Sequence, residues 1–219
     1  MTPQEWLVWL RGTGLQLSAA VFVLGMSYRL LHLLMLERKK SMAVARGSEW
    51  AGGLRTLWRR SFVLPELSMR GKFTFVAGYL FHLGFLATLF LLEQHIAMLR
   101  SVLGFGWPAL PRSAIDICAI LALAALVALL LHRLLDPVKR LLSDFQDYLA
   151  WLLSFLPLLT GFMLLRGMGF DYTTLLNWHL ISVETLLVVS PFTKLAHMFS
   201  TFIARWYNGA LAGFKGVDA

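Results

Sequence analysis

The feature that most restricts the fold of this chain is a set of five long apolar runs that are almost free of charge. They cover about residues 6–36, 73–98, 113–135, 144–165 and 175–203. A helix needs about 20 apolar residues to cross the hydrocarbon core of a bilayer, and each run is long enough. Hydrophobic residues make up 58% of the chain and charged residues 15%. The sequence therefore predicts an all-α integral membrane protein, a five-helix transmembrane bundle forming one domain over residues 1–219.

The distribution of Lys and Arg predicts the orientation of the bundle. The longest polar segment, about residues 37–72, contains nine of these residues, and further positive charges follow the third and fifth runs. Positively charged loops remain on the cytoplasmic side, so we expect the N-terminus outside and the C-terminus in the cytoplasm. The net charge of +8 then indicates topology and docking to a partner or to anionic lipid, and not nucleic acid. Within the basic loop, the spacing of Trp50, Leu54, Leu57 and Trp58 predicts an amphipathic surface helix or a docking face.

Two histidines stand eighteen positions apart in the last run, His179 and His197. On one continuous helix eighteen residues make about five whole turns and about 27 Å of rise, which is close to the thickness of the hydrocarbon core. Both imidazoles would then leave the same face. A lone histidine at a helix end is usually an interfacial or capping residue. A matching pair in the second run, His82 and His95, favours instead the ligands of two haems stacked across a membrane.

The expected topology sorts the six histidines by depth. His95 and His179 form the one possible pair near the outer surface. Of the four candidates near the inner surface, His82 and His197 lie deepest in the apolar runs, whereas His32 and His132 lie beside charged residues and suit interfacial positions. Haem iron accepts a neutral imidazole on each axial side. We therefore predict two b-type haems, an inner one held by His82 and His197 and an outer one held by His95 and His179.

The interval between His82 and His95 does not suit a regular helix. Thirteen residues give about 20 Å of rise and about 220° of rotation, so the two side chains would not share a face. A tilt of the helices, a kink at Pro191 or a bulge in the second run would reconcile the two pairs. Arg29 and Lys194 are candidates to neutralise the propionates of the inner haem, with extension towards lipid headgroups as the alternative.

Three segments carry a resemblance to a known family. The chain resembles the gamma subunit of respiratory nitrate reductase in Ala20-Val21-Phe22 with Gly25 and Arg29, in Phe81-His82-Leu83-Gly84, and in Pro191-Phe192-Thr193-Lys194-Leu195-Ala196-His197. The order and length of the five runs are also similar. The resemblance implies a di-haem b cytochrome that passes electrons between membrane quinol and a cytoplasmic iron–sulfur subunit. It makes His82 and His197 ligands of the inner haem and His179 a ligand of the outer haem.

The resemblance also implies partners and a location. The partners are a cytoplasmic iron–sulfur subunit, through it a catalytic subunit, and menaquinone or ubiquinone as the exchangeable substrate. The location is a prokaryotic-type cytoplasmic (inner) membrane, in which the chain is the multi-pass, quinone-reactive subunit of an oxidoreductase complex. Leu92 stands ten residues after His82, where the nitrate reductase pattern has its next histidine. The longer interval to His95 is similar to gamma-like cytochromes paired with heterodisulfide-reductase-type iron–sulfur subunits, so nitrate is not fixed as the acceptor.

Quinol chemistry also needs a group that accepts protons. Glu184 lies within the last run, five positions after His179, and a carboxyl group inside a membrane is a functional candidate. A structural hydrogen bond is the alternative, and Glu93 is a second candidate near the outer haem. Two other classes of function remain open. A haem-free anchor would dock a redox complex through the basic loop, and a transporter would place polar residues near the membrane midplane.

Overall fold

Helices account for all regular secondary structure in the part of the chain that the computed structural model describes, residues 2–36, 42, 44–62 and 68–217. Three of the predicted loop cations, Arg38, Lys39 and Lys40, lie outside this part. The helices are α1 (Pro3–Trp9), α2 (Leu15–Met35), α3 (Glu49–Arg59), α4 (Met69–Leu91), α5 (Glu93–Leu103), α6 (Arg112–Leu135), α7 (Pro137–Leu142), α8 (Phe145–Arg166), α9 (Tyr172–Val189) and α10 (His197–Lys215). A π-helical turn, Leu10–Gly14, joins α1 to α2, and two 3₁₀ turns, Ser190–Phe192 and Lys194–Ala196, join α9 to α10.

Five helical segments are long and apolar enough to cross a membrane. They are Pro3–Met35, Gly71–Leu91, Arg112–Leu135, Phe145–Arg166 and Tyr172–Phe192. The prediction of an all-helical chain with five such helices is therefore confirmed. A polar N-cap marks the start of several helices, as at α8, where Asp144 and Asp147 form a reciprocal capping box.

The five segments pack in the order α4, α6, α8, α9 and α2. Gly84 lets α4 approach α6 closely, because a methyl group added there would lie 2.9 Å from the side chain of Ala122. Ala122, Leu126 and Leu158 form the buried core between α6 and α8. Across the described residues, α4 makes no extended packing contact with α9. The helices that carry His82 and His179 are therefore not packed directly against each other.

Two of the predicted spans are interrupted. The second run does not form one helix over residues 73–98, because α4 ends at Leu91 and Leu92 is extended before α5 begins. The prediction of one continuous helix over residues 175–203 is likewise wrong. The helix α9 ends at Val189, Thr193 is extended with φ −122° and ψ −178°, and α10 begins at His197. The argument that His179 and His197 share one helical face therefore fails.

Pro191 and its neighbours explain the second interruption. Proline lacks the N–H that a continuing helix needs, and its ring clashes with the preceding turn. The first span holds the irregular backbone in place, since Nε of Arg29 donates a hydrogen bond of 2.9 Å to the carbonyl oxygen of Pro191. One turn earlier, Gly25 leaves room for the proline ring, because an added methyl group would lie 2.7 Å from Cβ of Pro191. Residues of the first span thus position the chain that leads to His197.

The helix expected around Trp50 and Trp58 is present as α3, and it packs along α10. Glycines make this contact close, since a methyl group added at Gly52 would overlap the backbone of Gly209 and lie 2.7 Å from Cα of Gly213. The indole rings of Trp50 and Trp206 meet edge to face, with centres 5.4 Å apart. Because α10 begins five residues after the last span ends at Phe192, the α3–α10 pair lies at one end of the bundle.

Candidate functional site

One pair of imidazoles joins α4 to the start of α10. The ring centres of His82 and His197 lie 6.1 Å apart, and their planes are perpendicular at 90°. Both side chains are exposed. His82 leaves the middle of the second span, and the irregular segment after α9 brings His197 opposite it.

A second pair joins α5 to α9. The ring centres of His95 and His179 also lie 6.1 Å apart, and their planes are almost parallel at 10°. Both rings are partly buried. The break at Leu92 turns the chain between His82 and His95, which removes the difficulty that thirteen residues posed on a regular helix. The four histidines named from the sequence thus stand as two facing pairs, with the partners expected from depth.

All four histidines hold Nδ1 in a hydrogen bond. The acceptors are the carbonyl oxygens of Gly78 (2.6 Å, to His82), Thr88 (2.9 Å, to His95) and Lys194 (2.8 Å, to His197), and the hydroxyl of Thr160 (3.2 Å, to His179). A carbonyl oxygen can only accept, so Nδ1 carries the proton in those three rings. Nε2 then keeps its lone pair. This is the arrangement of a metal-binding imidazole, in which the second ring nitrogen is fixed by an outer hydrogen bond.

For His179 the outer hydrogen bond is made by a side chain, the hydroxyl group of Thr160. Its hydroxyl donates to the carbonyl oxygen of Leu156 at 2.7 Å, which leaves its oxygen free to accept from Nδ1 of His179. The next residue, Gly161, lies beside the same ring, because an added methyl group would lie 3.0 Å from Cε1 of His179. The sequence analysis did not identify either Thr160 or Gly161 as part of a site. The sequence signal that could have indicated this contact is a threonine followed by a glycine, Thr160 and Gly161, within the fourth apolar run.

The spacing within each pair fits a single metal ion between two imidazoles. Two metal–nitrogen bonds of about 2 Å each, plus about 1 Å from each nitrogen to its ring centre, place the centres about 6 Å apart. The chemistry of the donor set also fits haem. In the portion of the chain described, no group of three or more His, Cys, Asp and Glu residues could hold a metal ion. Structural zinc takes four protein ligands, whereas two axial imidazoles complete the protein's share of a bis-histidine haem.

The other two histidines have different surroundings. His32 stacks on Tyr28 with ring centres 6.2 Å apart, and His132 meets the edge of Phe73 at 4.9 Å. Nε2 of His132 is buried without a hydrogen-bond partner among the described atoms. Neither ring faces another histidine at the distance seen in the two pairs.

Arg29 and Lys194 were predicted to contact haem propionates. Arg29 bonds to the segment that carries Pro191, and Lys194 is part of that segment. Lys194 forms ion pairs of 2.9 Å with both Asp144 and Asp147 at the start of α8. The Lys194 ammonium donates hydrogen bonds to these two carboxylates, and these bonds raise its pKa above the ordinary value. Lys194 therefore links α8 to the turn that presents His197, and Arg29 links the first span to the same turn. Contact with haem propionates stays a prediction for both.

Glu184 lies against the π-helical turn of the first span. A methyl group added at Gly14 would lie 2.8 Å from Oε2 of Glu184, so a larger residue at this position would displace the carboxyl group. Oε1 is buried and has no hydrogen-bond partner among the described atoms. π-helical turns occur often at functional sites. Glu93 has a different environment, because it is exposed in the first turn of α5.

Comparison with known proteins adds little to this site. No family model and no solved structure matches the chain. A protein of Nitratidesulfovibrio vulgaris is 37% identical over 134 residues, which cover 61% of this chain and 59% of the relative. The chain thus matches about three fifths of that relative, whose name, "Protein", states no activity. The resemblance to the nitrate reductase gamma family stays a prediction from the quoted motifs.

Proposed function

We propose that this chain is a di-haem b-type membrane subunit that exchanges electrons between the membrane quinone pool and a cytoplasmic iron–sulfur partner. The observation that carries the proposal is the presence of two facing histidine pairs, each with ring centres 6.1 Å apart. Isolated imidazoles are costly inside a bilayer, and axial ligation gives four of them a common reason to be there. Bound haem supplies the one-electron redox chemistry that amino-acid side chains lack.

The protein's own residues hold and tune the two sites. His82 and His197 would hold the inner haem, and His95 and His179 the outer one. The acceptors at Nδ1 set the tautomer and orientation of each ring and make Nε2 more basic. Thr160 and Gly161 shape the outer site from α8, whereas Lys194 and Arg29 fix the turn that carries His197 at the inner site.

Glu184 is the residue we assign to proton handling. Quinol oxidation releases protons together with electrons, so a quinone site needs a group that can accept a proton. The unpartnered Oε1 of Glu184 offers such a position in the same helix as His179. Gly14 and the π-helical turn pack against this carboxyl group. The exchangeable substrate beside it would be menaquinone or ubiquinone.

The orientation that we propose places the N-terminus outside and the basic loop in the cytoplasm of a prokaryotic-type inner membrane. The positive charge of that loop supports this orientation. The inner haem, at His82 and His197, would then pass electrons to the iron–sulfur partner and through it to a catalytic subunit. A haem-free anchor and a transporter are the rival functions.

The deciding experiment is a pyridine haemochrome assay on the purified chain, expressed in cells with ample haem. We expect two b-type haems per polypeptide and an absorption spectrum with the bands of low-spin, six-coordinate iron. A matched preparation in which all four paired histidines are replaced by Ala controls for nonspecific haem. If wild-type protein contained no more haem than this control, the chain would be an anchor or a transporter.

A further inference from the structure

The helix α3 has two faces, and its contact with α10 uses only one of them. The buried face contains Gly52, Gly53 and Thr56, which lie against Gly209, Gly213 and Trp206. Three large apolar side chains at four-residue intervals remain mostly exposed, Trp50 at 69%, Leu54 at 60% and Trp58 at 72%, although the ring of Trp50 also meets that of Trp206. Residues four apart lie along one side of a helix. The contact with α10 therefore leaves a continuous apolar stripe uncovered.

Through α10, the helix pair that carries this stripe follows closely after the last span. The last span ends at Phe192, and α10 begins only five residues later at His197. The first two turns of α10 carry exposed apolar side chains of their own, at Met198, Phe199 and Phe202. Exposed apolar side chains therefore lie both at the start of α10, next to the end of the last span, and along α3.

Apart from Glu49 in its first turn, the charged side chains of α3 and its C-cap are the positive Arg55, Arg59 and Arg60. Arg59 and Arg60 are exposed at the end of α3. On a regular helix Arg59 lies about 140° around the axis from Leu54, so it belongs to a different face from the stripe. A helix with Trp and Leu on one face and Arg on another is typical of helices that lie in the membrane interface, and each cation adds attraction to anionic lipid.

We propose that the α3–α10 pair lies in the headgroup region of an anionic leaflet. Trp50, Leu54 and Trp58 face the acyl chains, and Arg59 and Arg60 face lipid phosphates. A protein partner would need a groove of matching shape for the stripe, whereas lipid needs only the adjoining membrane, which the chain already spans. The proposal does not depend on haem binding.

The test uses the full chain in lipid nanodiscs, with Cys118→Ser as background. A nitroxide label at Leu54→Cys is compared with one at Arg59→Cys, an exposed position on another face of the same helix. Collision rates with oxygen, which concentrates in lipid, and with a water-soluble nickel complex measure depth. We expect oxygen to dominate at Leu54, about 5–10 Å below the phosphates, and nickel to dominate at Arg59. The label at Leu54 should lie deeper in nanodiscs that contain anionic lipid than in neutral nanodiscs.

Three results would overturn the proposal. Nickel dominating at both positions would place the stripe in water, and protection of Leu54 from both reagents would indicate a protein surface. Equal depth of the Leu54 label in neutral and anionic nanodiscs would mean that Arg59 and Arg60 do not bind lipid phosphates. A label-free measurement guards against misfolding of the labelled variants. Brominated phospholipids should quench tryptophan fluorescence of the unlabelled chain, and Trp58→Phe should remove part of the quenched signal; an unchanged quenched fraction would contradict the proposal.

Discussion

The carbonyl oxygen of Lys194 accepts a 2.8 Å hydrogen bond from Nδ1 of His197, while the ammonium group of Lys194 binds Asp144 and Asp147. One residue therefore connects the start of α8 to the orientation of a candidate haem ligand. The backbone around it, from Ser190 to Ala196, is irregular. Such backbone depends on side-chain contacts to keep one conformation.

Lys194→Met should loosen the turn before His197. Because the backbone hydrogen bond can still form, we expect partial and not complete loss of the haem at His82 and His197. Haem content and the electron paramagnetic resonance signal of that site measure the effect. Lys215→Met, which removes an exposed cation at the far end of α10, is the matched control. Equal behaviour of the two variants would show that Lys194 does not position His197.

Replacing one histidine of a pair should remove only the haem of that pair. His95→Ala or His179→Ala should abolish the outer site, and His82→Ala or His197→Ala the inner site, because one imidazole cannot complete axial ligation. His32→Ala and His132→Ala should keep both haems, since neither ring faces another histidine. Haem content and low-temperature spectra give the result. A His95→Ala protein with two unchanged haems would refute the outer assignment.

Thr160→Val should weaken the outer haem site without removing a ligand. Valine has nearly the same shape but cannot accept the proton of His179 Nδ1. Loss of such outer hydrogen bonds typically costs about 10–100-fold in metal affinity, so haem should be lost faster to apomyoglobin. Thr185→Val is the control, because among the described residues the hydroxyl of Thr185 bonds to its own helix, at the carbonyl oxygen of Ile181. Equal rates for the two variants would mean that the Thr160 contact does not matter.

Glu184→Gln should keep both haems and slow the reduction of haem by quinol. The amide has the size of the carboxyl group but cannot take up a proton. Stopped-flow haem reduction by a quinol analogue, measured across pH, should show a lower rate and an altered pH profile. Glu93→Gln, at an exposed position, is the comparison. If Glu184→Gln were as fast as wild type and Glu93→Gln were slow, the quinone site would lie around Glu93.

Gly52→Ala should destabilise the contact between α3 and α10. The added methyl group would overlap the backbone of Gly209, which cannot move aside as a side chain could. Overpacking of this kind typically costs about 1–3 kcal/mol. Thermal unfolding in detergent should show a lower transition temperature. Gly12→Ala is the control, since its added methyl group meets nothing within 4 Å. An unchanged transition for Gly52→Ala would mean that the two helices separate at little cost.

The sequence alone determined the helical class and the five membrane-length segments. Each segment is recognised by a local property, the length of an apolar run, because the bilayer demands that length of any spanning helix. Depth along the expected spans also grouped His95 with His179 and His82 with His197, and the same rings face each other in the structure. Their function as haem ligands stays a prediction.

Only the tertiary structure decided where the spans break and what holds each imidazole. Leu92 and Thr193 interrupt runs whose hydropathy is continuous, and Arg29 and Gly25 of the first span pack against Pro191 at the second break. The acceptor for His179 is Thr160, on the preceding span. Composition and periodicity describe neighbours along one helix, whereas these contacts join residues of different helices. Their positions are set by how the helices pack against one another.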